Sequence, residues 1–316
     1  MTKISELLAK QKTFSFEFFP PKTEKASEDL FQTIRELIPL EPSFITITYG
    51  AAGADRQITQ DLIIRINNET PTTVAAHLTC LNHSKGEIFS IVEKYHENGI
   101  ENIMALRGDP PVGQAKFIPH EDGFRYAADL VAFIKKHFPD ICVGVAGYPE
   151  GHPDTPNRLR EIEYLKAKVD QGADFITTQL FFDNREFFDF CERCELAGIT
   201  IPILPGIMPI ISRKTMFRMS ETALGTKYPA RLLKALARTT EDAQFAKVGT
   251  HWATQQVLEL LDKGVHGIHF YTLNKSRTTL QIYDSLGMIK SSIDHAAGNE
   301  PCNMYNITQT PNLQFN

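Results

Sequence analysis

The 316-residue chain lacks any apolar run near the roughly 18 residues that a membrane-spanning helix needs. Its N-terminus, Met1 to Lys12, is short and polar and has no apolar core of a secretory signal. Cysteine is sparse: five residues, an odd number without framework spacing, which argues against a disulfide scaffold and suits a reducing compartment. There is no basic block, and the net charge of −5 is mild, so no nucleic-acid partner is expected. Neither G-x-G-x-x-G nor a Walker A sequence occurs, so any nucleotide has to be held by other loops. The histidine spacings fit no standard zinc signature, and no metal is expected. No short internal repeat is visible. The expectation is a soluble cytoplasmic protein with a small-molecule partner and no membrane partner.

What is present is a core and a rhythm. Hydrophobic content of 42% is ample for a core, and the length is normal for one α/β barrel. Apolar, β-branched runs recur at Thr13–Phe19, Ser43–Tyr49, Thr73–Leu78, Asn102–Leu106, Cys142–Ala146, Asp174–Gln179, Ile201–Gly206 and Gly267–Thr272. Helical patterns separate most of them. Ser84-Lys85-Gly86-Glu87 reads as a capping box ahead of Ile88, Ile91, Val92 and Tyr95, and Asn98-Gly99 stops that run. Thr155-Pro156 opens another helix with proline in its first turn, and Gly172 closes it. Asn184 is placed to cap a third, which Gly198 ends.

Eight strands alternating with helices predict a (β/α)8 TIM barrel whose strands are covered on both faces. The section from Met208 to Lys263 is too long for one crossover and predicts extra helices between strands seven and eight. Residues 1–290 form the expected barrel domain. Residues 291–316 are polar and aperiodic, an extension expected to be poorly ordered or to lie on the surface.

Barrel enzymes carry their sites at the C-terminal ends of the strands. The polar residues there are Glu17, Thr48, His77, Arg107 with Asp109, Tyr148, Gln179 and Tyr271. Glu17 stands in Thr13-Phe14-Ser15-Phe16-Glu17-Phe18-Phe19-Pro20-Pro21. Either its carboxyl loses water to aromatic neighbours, holds its proton to higher pH and acts as a general acid, or it faces water on an edge strand. Alternation sends Phe16 and Phe18 to the other side of the strand, so other elements have to supply any apolar pressure. Arg107-Gly108-Asp109 suits a phosphate and an electron-deficient centre, or a structural pair at a turn. His77 alone reads as a core histidine; with Tyr148 and His152 it lines a polar groove. Glu161, Tyr164 and Lys168 share a helix face that, by itself, reads as solvated, with Leu159, Ile162, Leu165 and Val169 on the apolar face. Cys191-Glu192-Arg193-Cys194 mimics a redox pair, but it lies inside a helix stripe with Phe187 and reads as core.

Taken in order, Ser15–Pro21, Thr48–Ala51, His77–Cys80, Ala105–Asp109, Tyr148–Glu150, Thr178–Asp183, Pro205–Pro209 and His269–Asn274 resemble the methylenetetrahydrofolate reductase family over about Thr13 to Gly287. The resemblance implies a barrel with noncovalent FAD, NADH or NADPH as electron donor, and 5,10-methylenetetrahydrofolate as the substrate reduced to the 5-methyl form by ping-pong kinetics. It implies Glu17 as the acid that opens the folate's five-membered ring, and Asp109 as the carboxylate that stabilises the resulting cation. It places Thr48, Tyr49, Ala51, His77, Arg107, Gly108, Asp109, Tyr126, Ala127, Tyr148, His152, Glu161 and Lys168 around FAD, and Thr48, Asp109, Gln179, Met219, Tyr271 and Lys275 around substrate. Tyr164 and Ala167 stand where relatives often carry an Asn and an Arg toward FAD; Met219 replaces a stacking Phe, and Lys275 replaces an Arg. Relatives of this kind are usually oligomers, so a homo-oligomer is expected. The rival readings are a flavin-free barrel enzyme of one-carbon or phosphorylated substrates, and a noncatalytic flavin- or folate-binding protein.

Overall fold

The computed structural model describes residues 2–49, 56–108, 117–155, 157–223 and 225–288. Its strands are β1 (Thr13–Phe18), β2 (Phe44–Ile47), β3 (Thr73–Thr79), β4 (Asn102–Leu106), β5 (Cys142–Gly147), β6 (Phe175–Thr178), β7 (Ile203–Leu204), β8 (Gly206–Ile207) and β9 (Gly267–Tyr271). Its helices are α1 (Ile4–Lys10), α2 (Glu24–Leu37), α3 (Arg56–Glu69), α4 (Lys85–Glu97), α5 (Ala127–His137), α6 (Arg158–Asp170), α7 (Asn184–Leu196), α8 (Arg213–Thr222), α9 (Ala230–Ala237), α10 (Asp242–Asp262) and α11 (Ser276–Ser285). The strands form one sheet in the order β7-β6-β5-β4-β3-β2-β1-β9-β8, with parallel neighbours throughout, which is the (β/α)8 barrel. Helices α8, α9 and α10 all lie between β8 and β9.

The expected seventh strand is broken. Pro205 has no N–H to give a ladder, so Ile203–Leu204 pairs with β6 while Gly206–Ile207 pairs with β9. The ring closes through this interrupted segment, with His269 N–H donating to the Pro205 carbonyl at 3.0 Å.

Side chains alternate between two cores. Outward residues such as Phe16, Ile45 and Ile103 pack under the helices. Inward residues Phe44, Ala75, Met104, Cys142, Phe175 and Leu204 fill the lower barrel, where Ile4 and Leu8 of α1 join them. Helix α1 is an element that the polar N-terminal sequence did not announce; the Ile4 N–H donates to Asn102 Oδ1 at 2.8 Å and seats the helix across the barrel floor. The space is tight: a Cβ on Gly144 would sit 2.3 Å from Met104 Sδ and 2.4 Å from the Phe175 ring.

Two helix starts differ from the sequence reading. Asn157, not Pro156, sets the start of α6: its Oδ1 accepts from Leu159 N at 3.1 Å and Arg160 N at 3.3 Å, and Pro156 lies outside the described residues. Asp183 caps α7 through Arg185 N at 3.1 Å. Asn184 is instead the first helical residue, and its Nδ2 donates to Gln256 O at 3.0 Å, tying α7 to α10. The capping box at Ser84 and Glu87 is formed as read, with Ile88, Val92 and Tyr95 buried. Phe187 and Cys194 are core, and burial pushes the thiols of Cys191 and Cys194 up to about 12, far from a reactive thiolate. The 291–316 extension and its expected disorder lie outside the described residues.

Candidate active site

Above the apolar floor, the inward positions turn polar. Parallel register sets Glu17 of β1 beside Thr46 of β2 on one side and Tyr271 of β9 on the other. Its Oε2 lies 3.2 Å from His269 Nε2 and 3.3 Å from His77 Nε2, and it accepts from Thr46 Oγ1 at 3.2 Å. The His77 contact is at ion-pair distance without hydrogen-bond alignment. His269 is fixed from behind, with Nδ1 2.8 Å from Ser15 Oγ and its ring stacked on Phe44 at 6.1 Å. Burial pushes the Glu17 carboxyl up, but the charge of His77 and the hydrogen bond and charge of His269 outweigh it and bring the group down to about 2.

That reverses the expected direction of the Glu17 shift. The nearby phenylalanines do not enclose the carboxyl: Phe16 packs outward against Phe270 at 6.1 Å and Tyr283 at 5.8 Å. The neighbours that decide the charge are two imidazoles. His269 was missed by strand-end reasoning because it stands two residues before the end of β9; counting inward positions back from Tyr271 by two would have found it.

Glu17 lies in the wall of a cavity of about 310 Å³, which also takes in Thr48, Tyr49, His77, Gln179, Met219 and Tyr271. These residues come from β1, β3, β9, the loops after β2 and β6, and helix α8, and they meet as the barrel geometry requires. Tyr271 presents its ring rather than its hydroxyl, since Oη donates to Thr178 O at 2.6 Å. Gln179 Oε1 accepts from Leu180 N at 2.8 Å, which turns its amide NH2 outward. Met219 sits on α8, a helix with no buried residue, so this wall is lightly packed.

A second cavity of about 580 Å³ adjoins the first along Leu106, Gly108, Ala146 and Tyr148. Its wall includes Arg107, Tyr126, Ala127, His152, Glu161 and Lys168. The Glu161–Lys168 face is therefore not the solvated face its sequence suggested. Glu161 is buried, accepting from His152 N at 2.6 Å and Arg158 Nη1 at 2.6 Å, and burial pushes its carboxyl up. Lys168 Nζ donates to Ala146 O at 2.5 Å; burial pushes the ammonium down to about 8, with Glu161 pulling it back up. Leu159, expected on the apolar face, is 80% exposed. Arg107 pairs with Asp154 at 2.8 Å at the rim. Tyr164 and Ala167 also line this cavity, so neither brings a cation to it. A roomy cavity with a half-buried ammonium and a guanidinium at its edge suits an anionic nucleotide.

Three expected positions stand apart. Ala51 and Asp109 lie outside the described residues. Lys275 is exposed at the N-cap of α11 and is in the wall of neither cavity. Among the described residues, no group of three His, Cys, Asp or Glu side chains is disposed to hold a metal, and no helix is long and apolar enough to cross a membrane.

The family model for methylenetetrahydrofolate reductase matches residues 2–287. The chain is 42% identical over 293 residues to methylenetetrahydrofolate reductase (NADH) 1 of Arabidopsis thaliana, covering 89% of this chain and 49% of the relative. It is 38% identical over 275 residues to 5,10-methylenetetrahydrofolate reductase of Escherichia coli K12, covering 87% of this chain and 90% of the relative. The chain thus spans about half the length of the plant relatives and nearly all of the bacterial one. Among solved structures it is similar to a Clostridium thermocellum protein described as binding two copies of 5-methyl-5,6,7,8-tetrahydrofolic acid, with TM-score 0.62, 16% identity, and coverage of 90% of this chain and 98% of that one. At that identity, the likeness speaks for the fold alone.

Proposed function

Because the chain belongs to the methylenetetrahydrofolate reductase family, we propose that it reduces 5,10-methylenetetrahydrofolate to 5-methyltetrahydrofolate with FAD and a reduced nicotinamide, NADH or NADPH. The observation that carries this reading is the pairing of two cavities. A half-buried carboxylate with two imidazoles sits in one, a half-buried ammonium sits in the other, and the two share a wall.

FAD fits the residues of the second cavity. Lys168 and Arg107 offer cationic donors to a diphosphate, and Glu161 and His152 offer polar atoms to a ribose. Gly108, Ala146 and Tyr148 belong to both walls; Gly108 has φ 87, and a Cβ there would come within 3.0 Å of Leu81 Cβ. Bound flavin supplies the hydride; the protein's part is position and protons.

Glu17, His77 and His269 form one cluster. The depressed pKa keeps the carboxylate ionised at neutral pH. A folate ring over the cavity removes water from Glu17 and favours its neutral form, with His269 Nε2 3.2 Å away as a route for the proton. Glu17 then protonates the bridging nitrogen of the folate, the five-membered ring opens, and the exocyclic methylene becomes an iminium that accepts a hydride. Ser15 and Phe44 keep His269 oriented for that transfer. Thr48, Gln179 and Met219 position the folate, and Asp109 is proposed to stabilise the cation. The chain is taken to work in the cytoplasm, consistent with free thiols at the described cysteines.

Freshly purified protein should absorb as a flavoprotein, and anaerobic NADH or NADPH should bleach the flavin band. Methylenetetrahydrofolate should then restore it. A colourless protein that takes up no FAD overturns the proposal; bleaching without recovery on folate overturns its substrate.

A further inference from the structure

We propose that His83 fixes the hydrogen-bond polarity of Tyr49, so that the Tyr49 hydroxyl faces the Glu17 cavity as a donor to an acceptor atom of a bound ring. The proposal rests on the reading that the paired cavities take a flavin. It adds a positioning residue that touches neither cavity.

His83 stands in the turn between β3 and α4 and is 1% exposed. Its Nε2 lies 2.9 Å from Tyr49 Oη, with the two rings edge to face at 5.6 Å. Tyr49 is in the cavity wall with Glu17, whereas His83 is behind it. The polarity of the His83–Tyr49 bond therefore decides what the cavity meets. If Tyr49 donates to Nε2, its only proton is used and it offers ligands an acceptor. If Nε2–H donates to Oη, the hydroxyl proton is left for the cavity side.

The other ring nitrogen settles which tautomer is favoured. Nδ1 lies 3.5 Å from Arg56 Nη1, at the first residue of α3. A guanidinium carries only N–H groups and a positive charge, so it favours a lone pair at Nδ1 and opposes an N–H there, even at a length where the hydrogen bond itself is weak. A neutral imidazole has one N–H, and with Nδ1 as acceptor that proton is at Nε2. The ring stays neutral because burial, foremost, and the nearby Arg56 charge hold its pKa down to about 4; Glu87 of α4 pulls it up, and His120 adds a small push down. The groups facing His83 are thus one cation from α3, one carboxylate from α4 and one histidine from the segment before α5.

Two measurements test this. The first needs no ligand: the long-range 15N–1H spectrum of histidine-labelled protein at pH 7 should show His83 as the Nε2–H tautomer, and Arg56→Gln should shift it toward a mixture. A spectrum with His83 as the Nδ1–H tautomer overturns the proposal.

The second is FAD affinity of the apoprotein, read by quenching of flavin fluorescence. Tyr49→Phe and His83→Leu should each weaken binding by about tenfold, the size of one well-placed hydrogen bond, and the double variant should lose no more than either alone. His83→Gln, whose amide can still donate to Tyr49, should recover most of the affinity. Additive losses, or a Tyr49→Phe protein that binds FAD as the wild type does, overturn the proposal. If the wild type binds no FAD at all, the functional reading fails, and the tautomer measurement still decides the polarity.

Discussion

Glu17→Gln separates the chemistry of the cluster from the binding of its ligands. The amide has the carboxylate's shape but carries no ionisable proton. In the proposed mechanism the acid is required only for opening the folate ring, so reduction of the flavin by the nicotinamide should proceed at a rate within a few-fold of wild type. Reoxidation by methylenetetrahydrofolate should slow by about 10²–10⁴, the usual worth of a positioned acid, or about 3–5 kcal/mol of barrier. The structure adds a stability effect of known sign. The Glu17 carboxyl is depressed from 4.5 to about 2 in the fold, so the wild type gains stability that is present above the unfolded value and is lost as pH falls from about 4.5 to 2. At about 1.4 kcal/mol per unit, this is at most about 3–4 kcal/mol. The variant should therefore melt lower at neutral pH and show a flatter acid limb. Anaerobic stopped-flow of the two half-reactions, with melting curves from pH 3 to 8, reads both effects. Equal slowing of both half-reactions would refute the acid role, and a melting difference independent of pH would refute the electrostatic account.

Other residues give separable outcomes. Lys168→Met should weaken FAD binding by about 10- to 100-fold, since a charge-assisted donor inside the larger cavity is lost; an unchanged dissociation constant by fluorescence titration contradicts its placement. Glu150 is pushed up to about 7, chiefly by burial, so its ionisation opposes folding: the stability it contributes is complete below about 4.5 and is lost as pH rises toward 7. Glu150→Gln, which still accepts from Lys227 N–H, should then melt higher than wild type at pH 8 and converge with it at pH 4; a gap that fails to close disproves the assignment. Gly144→Ala should destabilise by about 1–3 kcal/mol or prevent folding, because its Cβ would overlap Met104 and Phe175; a wild-type melting temperature would show that the barrel floor is looser than described.

Strand ends were legible because a parallel barrel leaves little freedom about where they point. Glu17, Thr48, His77, Tyr148, Gln179 and Tyr271, read off as residues at the ends of apolar runs, all line one cavity. What escaped was whatever depends on register or cover. His269 and Thr46 reach Glu17 only because β9 and β2 flank β1 in the register they do, and no local pattern encodes that. Of the two readings of Glu17, the raised carboxyl fails for the same reason: the controlling charges arrive from elsewhere in the chain. On α6, Glu161 and Lys168 looked solvated because charge usually is, whereas here a cavity lies above them and Leu159 is left outside. Helix α1 offered only Ile4 and Leu8, too short a pattern to stand out from a polar terminus. The break at Pro205 was in plain view, but its meaning, one strand serving two neighbours in turn, needed the closed ring.

The pairing of β1 with β9 joins Thr13 to Gly267, so the barrel is sealed by residues that a ribosome releases some 250 apart. Through most of synthesis β1 has only β2 beside it, and its other flank offers unpaired backbone to any strand it meets. Slow closure is the expected kinetic signature of so non-local a seam. The same seam brings His269 to Glu17. A nascent or truncated chain that stops before β9 thus has the carboxylate and His77 but not His269, and the three-residue cluster is complete only when the ring is shut.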